Sequence, residues 1–443
     1  MHQYSVTLLR DEIVQRREEG CDEIALREIE KAVRALGDDT PYQTVDDLYG
    51  RLDRLKPDPE LARCEPSGLE EIRALRPDGP RRYNFTMSDE TLEDRMLGAW
   101  LGRAAGCVLG KPVEGWPRAD IRELLEYAGE FPLEHYFPPV EGFRREWHRL
   151  TAGCLRGGIS RMERDDDMDY TLLALIVMEE RGPAFTTRQV ADAWLLHLPY
   201  LMVYTAEREA YRNLVTGLQP PETARWRNPY REWIGAQIRA DFWGYAAAGN
   251  PELAAEFAWR DAALSHVKNG IYGEMWIAAA IAAAFVVDTP EEAVRIGLTE
   301  IPANCRLAEA INDTLDWCSQ NGNREDIFDR IEDKYGHYHN VHTINNAALV
   351  VAGLILGSRD LGPTITTAVA GGWDTDCNGA SAGSVLGAMV GAQPLPYEWV
   401  GPLNDRMDTA LSGVRAGQPL KFSDLARRSV AQARRAQEYA NGR

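Results

Sequence analysis

GGWDTDCNGASAGSVLGAMVG, residues 371–391, places two glycines before a pair of aspartates and follows them with small and apolar residues. The glycines let the backbone bend sharply before the acids. The alternation of Asp374 and Asp376 puts both carboxylates on one side of an extended segment. Small and apolar residues on every side of the following run predict a buried helix. The stretch therefore predicts an acidic corner that opens a buried helix.

A second acidic corner lies in RDDDMDY, residues 164–170, directly before the apolar run TLLALIVMEE. A helix that is apolar all round is buried. Carboxylates at its N-terminus repel one another unless cations or hydrogen bonds offset the repulsion. The helix dipole alone also favours acids at this end, so either corner by itself is a weak signal. Together they predict a dinuclear site for hard cations, because oxygen ligands suit Mg²⁺, Mn²⁺ or Ca²⁺ better than zinc.

A third stretch, GAWLGRAAGCVLGKP at residues 98–112, has a glycine at every fourth position. Residues four apart share one helix face, so this face lacks side chains and admits the close approach of another helix or of a ligand. Ser88 and Thr91 supply a capping signal for the start of this helix. The pattern leaves open whether the bare face packs or lines a site.

Helical periodicity recurs between residues 187 and 391, whereas alternating strand patterns of useful length are scarce, so the fold class predicted is all-α. Residues 1–80 are rich in Glu, Arg and Leu and predict a small helical N-terminal extension. Pro77, Gly79 and Pro80 break regular structure at its end. Residues 81–443 are predicted to form the main domain.

Composition excludes several partners. Forty-nine basic and 68 acidic residues give a net charge of −19, which repels nucleic acid. The longest uncharged apolar run, residues 275–287, is too short to cross a bilayer, and the start of the chain lacks a secretory signal. Seven cysteines form no CxxC pair, which indicates reduced thiols, a cytoplasmic location and no thiolate cage for zinc.

The sequence GKPVEGW after the glycine-rich helix, the acidic triplet, and GGWDTDCNGASAG together resemble the ADP-ribosylglycohydrolase family over roughly residues 90–400. The resemblance implies an orthogonal bundle of many helices with a central metal cleft that holds two Mg²⁺ or Mn²⁺ ions. It also implies hydrolysis of N- or O-glycosidic bonds at the anomeric carbon of ADP-ribose. The family's metal ligands fall on Asp165, Asp166, Asp167, Asp374, Asp376 and Cys377.

The resemblance further matches Glu114 to a family glutamate that faces the metals. Two positions depart from the family pattern: Asp165 replaces a neutral hydroxyl ligand, and Cys377 replaces a threonine, which puts a soft thiol where a hard oxygen is usual. The carboxylates are retained, so metal binding is still expected. Either Glu114 or Asp374 is predicted to act as the catalytic base.

Polar residues beside buried helices are further candidates for substrate contact. The predicted substrate-binding residues are Asn269, Gly270, Tyr272, Glu274, Gly372, Trp373 and Asn378. His266 either contacts substrate or forms a structural hydrogen bond. Asn345 and Asn346 open a helix, and N-capping alone would explain one of them.

The function predicted from these residues is metal-dependent hydrolysis of the ribosyl bond of an ADP-ribosyl or nucleoside-like small molecule by an activated water. The first alternative is removal of ADP-ribose from modified proteins. A second is a non-catalytic module that binds metal or nucleotide, and a third is an interaction scaffold built on the N-terminal residues. Oligomeric state is not indicated.

Overall fold

A computed structural model describes residues 2–37, 40–143, 152–320, 322–414 and 420–442. In these ranges the regular structure is helical and only isolated β-bridges occur, so the predicted all-α fold is confirmed. Numbered in chain order, the helices are α1 (His2–Glu18), α2 (Glu23–Arg34), α3 (Tyr42–Leu52), α4 (Pro59–Cys64), α5 (Leu69–Leu75), α6 (Asp89–Gly110), α7 (Arg118–Ala128), α8 (Asp166–Arg181), α9 (Thr187–His197), α10 (Thr205–Val215), α11 (Glu222–Arg225), α12 (Asp241–Ala246), α13 (Pro251–Ala262), α14 (Lys268–Ala284), α15 (Pro290–Leu298), α16 (Arg306–Ser319), α17 (Arg324–Tyr335), α18 (Thr343–Gly357), α19 (Leu361–Ala370), α20 (Thr375–Val390), α21 (Tyr397–Val400) and α22 (Phe422–Asn441).

The most extensive helix contact joins α6 to α20. Ser88 caps α6 as predicted, its hydroxyl accepting a hydrogen bond from the Thr91 N–H at 3.3 Å. Along the contact, glycines of one helix face glycines of the other in reverse order, so the two helices run antiparallel. The facing pairs are Gly98 with Gly387, Gly102 with Gly383, and Gly106 with Gly379. A Cβ at any of these positions would overlap the backbone opposite. The glycine face of α6 is therefore a helix-packing surface. The candidate site lies beyond the C-terminal end of α6.

A small-residue helix also forms the centre of the main core. Nearly every residue of α14 is buried, and its alanines let α13, α15 and α12 approach closely. Among the described residues no helix combines the length and the apolar character needed to span a membrane.

The N-terminal helices α1, α2 and α3 enclose a hydrophobic cluster of their own, which includes Leu9, Leu26 and Val45. Ile72 on α5 already belongs to the main core. The boundary between the two hydrophobic clusters therefore lies before α5. The domain boundary near residue 80 stays a prediction.

Buried ion pairs attach this N-terminal unit to the main core. The Arg231 guanidinium donates to Glu12 at 2.8 Å and to Glu19 at 3.0 Å, and Gln15 donates to Glu232 at 2.8 Å. Burial alone would raise the pKa of Glu19, but Arg231 and Lys268 lower it to about 2. The Glu12 and Glu19 carboxylates at this junction are therefore both paired with Arg231.

Glu18 lies at the same junction, where Arg306 and Arg231 compensate its charge only in part. Burial raises the pKa of its carboxyl to about 7, and repulsion by Glu232 adds to the shift. Its Oε2 is 3.7 Å from Nε2 of His342, whose own pKa burial lowers to about 3, so the imidazole is neutral beside it. The ionised form of Glu18 is therefore unfavourable in the folded protein.

We expect Glu18→Gln to stabilise the protein at pH 8 by up to about 3 kcal/mol. The folded pKa lies above the ordinary value of 4.5, so the wild type loses stability as the pH rises from about 4.5 to about 7. Below pH 4.5 Glu18 is protonated in both states, and the variant gains nothing. Urea unfolding at pH 4 and pH 8 measures this difference. The exposed Glu28→Gln serves as control, and an equal effect of Glu18→Gln at both pH values would contradict the prediction.

Candidate metal centre

Three segments of the chain meet around a cavity of about 310 Å³. They are the turn that follows α6, the N-terminus of α8 and the N-terminus of α20. All the metal ligands and both catalytic residues predicted from the sequence line this cavity: Glu114, Asp165, Asp166, Asp167, Asp374, Asp376 and Cys377. The structure thus brings together residues up to 263 positions apart, from Glu114 to Cys377. Their roles stay predictions.

The triplet that opens α8 is held in place by hydrogen bonds from several directions. Asp165 caps the helix, accepting a hydrogen bond from the Asp167 N–H at 3.1 Å, and its other oxygen is 2.8 Å from the Lys111 ammonium. The Asp167 carboxylate accepts from Arg103 at 3.1 Å and from the Cys377 thiol at 3.3 Å. Asp166 is half-buried at the cavity wall. Two of the three acids therefore have a cation on one side and the cavity on the other.

The corner that opens α20 is fixed through its backbone. The Asp374 N–H donates to Asn346 at 3.1 Å, and the Thr375 hydroxyl donates to the Gly110 carbonyl at 2.8 Å, which joins the start of α20 to the end of α6. Asp376 is only 4% exposed, and its Oδ1 has no hydrogen-bond partner among the described residues. An unsatisfied buried carboxylate oxygen is costly unless a ligand meets it.

The pKa values of the acids reflect how closely they lie together. Burial raises the pKa values of Asp166, Asp167 and Asp374 well above the ordinary range, and neighbouring carboxylates add to each shift. Burial together with Asp165 raises the pKa of Asp376 to about 6. With Glu207 of α10, seven carboxylates line the cavity, against the two cationic side chains of Lys111 and Arg164, so its field favours bound cations.

Glu114 stands at the exposed side of this cluster, where repulsion by Asp376, together with burial, raises its pKa to about 9. The backbone on either side is tied to the start of α20. The Gly115 N–H donates to the Trp373 carbonyl at 2.8 Å, and the Trp373 N–H donates to the Trp116 carbonyl at 2.9 Å. Gly372 has φ +83° and approaches Trp116 so closely that a Cβ would overlap the backbone. Gly372 and Trp373 therefore position Glu114, and neither residue lines the cavity.

A polar stripe on α6 supports the acids from behind. Arg103, Cys107 and Lys111 are four residues apart and so share one helix face. Arg103 is fully buried and also pairs with Asp241 at 2.7 Å. Burial lowers the pKa of Lys111, but the Asp165 carboxylate outweighs this and holds it above its usual value. Sequence reasoning did not select Cys107 or Lys111, although their spacing from Arg103 was a usable signal.

The predicted substrate-binding residues of α14 lie outside the cavity wall. Asn269 donates to Glu232 at 2.8 Å and accepts from the Leu307 N–H at 3.1 Å. Glu274 is 3.5 Å from the buried Arg239, and Tyr272 donates its hydroxyl to Pro66. The partners of these side chains are therefore internal to the protein. Gly270 packs closely against the backbone of Arg231. A direct substrate contact for them stays a prediction that the shape of the cavity does not support.

Asn378 also lies behind the wall, where it donates to Asn346 Oδ1 at 2.8 Å. The N-cap of α18 is His342, so the expectation that Asn345 or Asn346 caps this helix is wrong. Asn346 instead receives the Asp374 N–H, since its place in the first turn of α18 faces the start of α20. His266 is buried, with its Nδ1 2.8 Å from the Ser265 hydroxyl, which fits the structural alternative.

The remaining wall comes from segments that the sequence did not mark as a site. These residues are Tyr204, Thr205, Glu207, Ile234, Gly235, Ile238 and Val341. Tyr204 is 43% exposed and Arg164 lies over its ring at 5.9 Å. The apolar residues give one side of the cavity a surface suited to a sugar or ring face. No local motif identifies them, because only the folded chain brings them to the acids.

The model of one protein family, described as ADP-ribosylglycohydrolase, matches residues 88–437. Among solved structures, an ADP-ribosylglycohydrolase-related protein complex contains a chain with 20% sequence identity and a TM-score of 0.47, and the alignment covers 78% of this chain and 99% of that one. No curated protein matches. The family match spans both acidic corners, the glycine-paired helices and Glu114. This chain therefore belongs to the ADP-ribosylglycohydrolase family.

Proposed function

We propose that the protein is a metal-dependent glycohydrolase that cleaves the ribosyl bond of an ADP-ribosyl or nucleoside-like small molecule. Membership of the family indicates a hydrolase acting on ADP-ribosyl compounds. The observation that carries the proposal is the meeting of seven carboxylates from distant segments around one cavity, with one buried oxygen of Asp376 left unpartnered.

The chemistry of the cavity residues supports the binding of divalent cations. The described residues form two groups able to hold an ion, one containing Asp165 and Asp167, the other containing Asp374, and Asp376 belongs to both. We propose that these acids, with Asp166 and Cys377, hold two Mg²⁺ or Mn²⁺ ions. Bound ions of this kind supply positive charge for the ribose hydroxyls and make a bound water more acidic.

Within this proposal the chain itself supplies proton transfer and substrate contact. Glu114 reaches the solvent-exposed side of the cluster, and bound cations would offset the carboxylate repulsion that raises its pKa. Its carboxylate would then be able to take a proton from water and pass it to bulk solvent. Asp374 is buried and belongs to one of the two ligand groups, which favours the exposed Glu114 as the base of the two predicted. The apolar wall at Ile234 and Val341 excludes water from one side of the sugar.

A second candidate is removal of ADP-ribose from modified proteins. It is favoured by exposed apolar residues in the segment that precedes Tyr204 of the cavity wall, where Leu196 is 64% and Leu201 is 77% exposed. Exposed apolar side chains of this kind suit contact with a macromolecule. For either candidate we propose a cytoplasmic location, supported by seven unpaired cysteines.

We expect metal-dependent release of ribose or ADP-ribose from at least one substrate in a panel of nucleosides, ADP-ribosyl small molecules and ADP-ribosylated proteins. Chromatography of the products identifies the bond that is cleaved. Chelation is expected to abolish turnover and added Mn²⁺ or Mg²⁺ to restore it. Turnover that persists unchanged in chelated protein would contradict the metal role. Binding of ADP-ribose without turnover of any substrate would favour the non-catalytic module.

A further inference from the structure

Two cysteine thiols lie among the carboxylates of the candidate metal centre. In the first ligand group, Cys107 Sγ and one oxygen each from Asp165, Asp167 and Asp376 all lie within 4.8 Å of one another. In the second group, Cys377 Sγ lies within the same distance of oxygens from Asp374 and Asp376. Each of the two groups therefore contains one sulfur atom.

Both thiols are placed by well-packed helices. Cys107 is fully buried on the polar stripe of α6, one turn before Lys111, and Cys377 lies in the first turn of α20. The glycine pairing fixes α6 against α20, so the two sulfur atoms occupy set positions relative to the acids. The Cys377 thiol already points at the cluster, since it donates to Asp167 Oδ2 at 3.3 Å.

An independent observation shows that the arrangement is open to a ligand. Asp376 is the member common to both groups, and its Oδ1 is buried without a hydrogen-bond partner in the part of the chain that the structure describes. A shared carboxylate with an unsatisfied oxygen is the arrangement that a bridging ligand to two ions requires. Thiols that served only as small apolar fillers would not need to lie within 4.8 Å of this shared carboxylate, one in each group.

We propose that Cys107 and Cys377 are metal ligands, one in each group, and that they shift the preference of the centre from Mg²⁺ towards thiophilic ions such as Zn²⁺ or Co²⁺. This inference rests on the proposed metal dependence. Mg²⁺ takes oxygen ligands and keeps its waters, whereas cysteine sulfur selects softer ions. Each thiol that coordinates an ion releases its proton to solvent.

The test uses the full-length protein freed of metal and titrated with Co²⁺. Thiolate bonded to Co²⁺ gives a charge-transfer absorption in the near ultraviolet that carboxylate ligands do not give. We expect this band in the wild type, a weaker band in Cys107→Ser and in Cys377→Ser, and none in the double variant. Cys318→Ser, which removes another buried thiol far along the chain on α16, is the matched control and keeps the full band.

Competition between ions gives a second readout. Serine replaces sulfur by oxygen, so the ratio of Zn²⁺ to Mg²⁺ affinity is expected to fall by about 10-fold or more for each thiol removed. The corresponding alanine variants separate loss of the ligand from any fault in folding, which circular dichroism monitors. A double variant that keeps both the band and the affinity ratio of the wild type would overturn the inference.

The failure of this inference is distinguishable from failure of the proposed function. A wild-type protein that binds Co²⁺ without the band and turns over substrate with Mg²⁺ overturns the role of the thiols alone. A folded wild-type protein that binds no divalent ion overturns the metal-dependent function as well.

Discussion

Asp376→Asn is expected to reduce metal-dependent turnover by at least about 10³-fold, a loss of roughly 4 kcal/mol in stabilisation of the transition state. The reason is that Asp376 is the acid shared by both ligand groups. The same change is expected to stabilise the metal-free protein at pH 8 by up to about 3 kcal/mol, because the folded pKa near 6 lies above the ordinary value of 3.8 and the ionised form is unfavourable. Activity assays and thermal unfolding of chelated protein measure the two effects.

Asp169→Asn supplies the contrasting case for stability. Asp169 is buried in the same acidic segment, but it accepts hydrogen bonds from Arg164 at 2.8 Å, from the Thr409 hydroxyl at 2.5 Å and from the Ala410 N–H at 3.0 Å. Its replacement leaves these donors poorly matched and is expected to lower the melting temperature. If Asp376→Asn also lowered the stability of metal-free protein while activity survived, Asp376 would be a structural residue.

Gly106→Ala is expected to destabilise the protein by about 3 kcal/mol or more and to remove activity with it. The added Cβ would overlap the Gly379 carbonyl, and neither backbone is able to yield without separating α6 from α20. Lys111 and Glu114 follow directly from α6, so separation moves them away from the acids of α20. Chemical denaturation measures the loss of stability.

The matched control is Gly50→Ala, the same substitution inside helix α3. Its new methyl group meets only the end of the Arg54 side chain at 3.8 Å. Alanine is the better helix former, so this variant is expected to gain about 0.5–1 kcal/mol. Equal effects of the two substitutions would show that helix propensity, rather than contact between backbones, decides the outcome at Gly106.

Much of the fold, and the gathering of the acidic residues around one cavity, was predictable because both depend on local patterns. The spacing of glycines along residues 98–110 predicted a close approach, and Gly379, Gly383 and Gly387 carry the same spacing in the segment that approaches. The acids were predictable because carboxylates before an apolar helix are unusual without a cation. What the spacing left open was whether the bare face met a helix or a ligand.

The residues of the cavity wall outside the acidic segments were harder to predict, since they depend on which segments the fold brings together. Asn269 lies in the first turn of the buried helix α14 and Glu274 in its second turn, yet their partners are Glu232 and Arg239. The sequence alone does not distinguish a polar residue that pairs with another residue of the protein from one that contacts a bound ligand. Ile234 and Val341 carried no signal at all, because an apolar cavity wall resembles any other part of the core.

The glycine contact between α6 and α20 also bears on how the centre tells one ion from another. Side chains at a helix interface are able to change rotamer and let the helices shift, but backbone against backbone has no such slack. The gap between Cys107 and Asp376 is accordingly preset. In the proposed centre, a preset gap would favour ions whose radius fits it and whose chemistry suits its sulfur and oxygen donors, because the protein would not adjust to each ion.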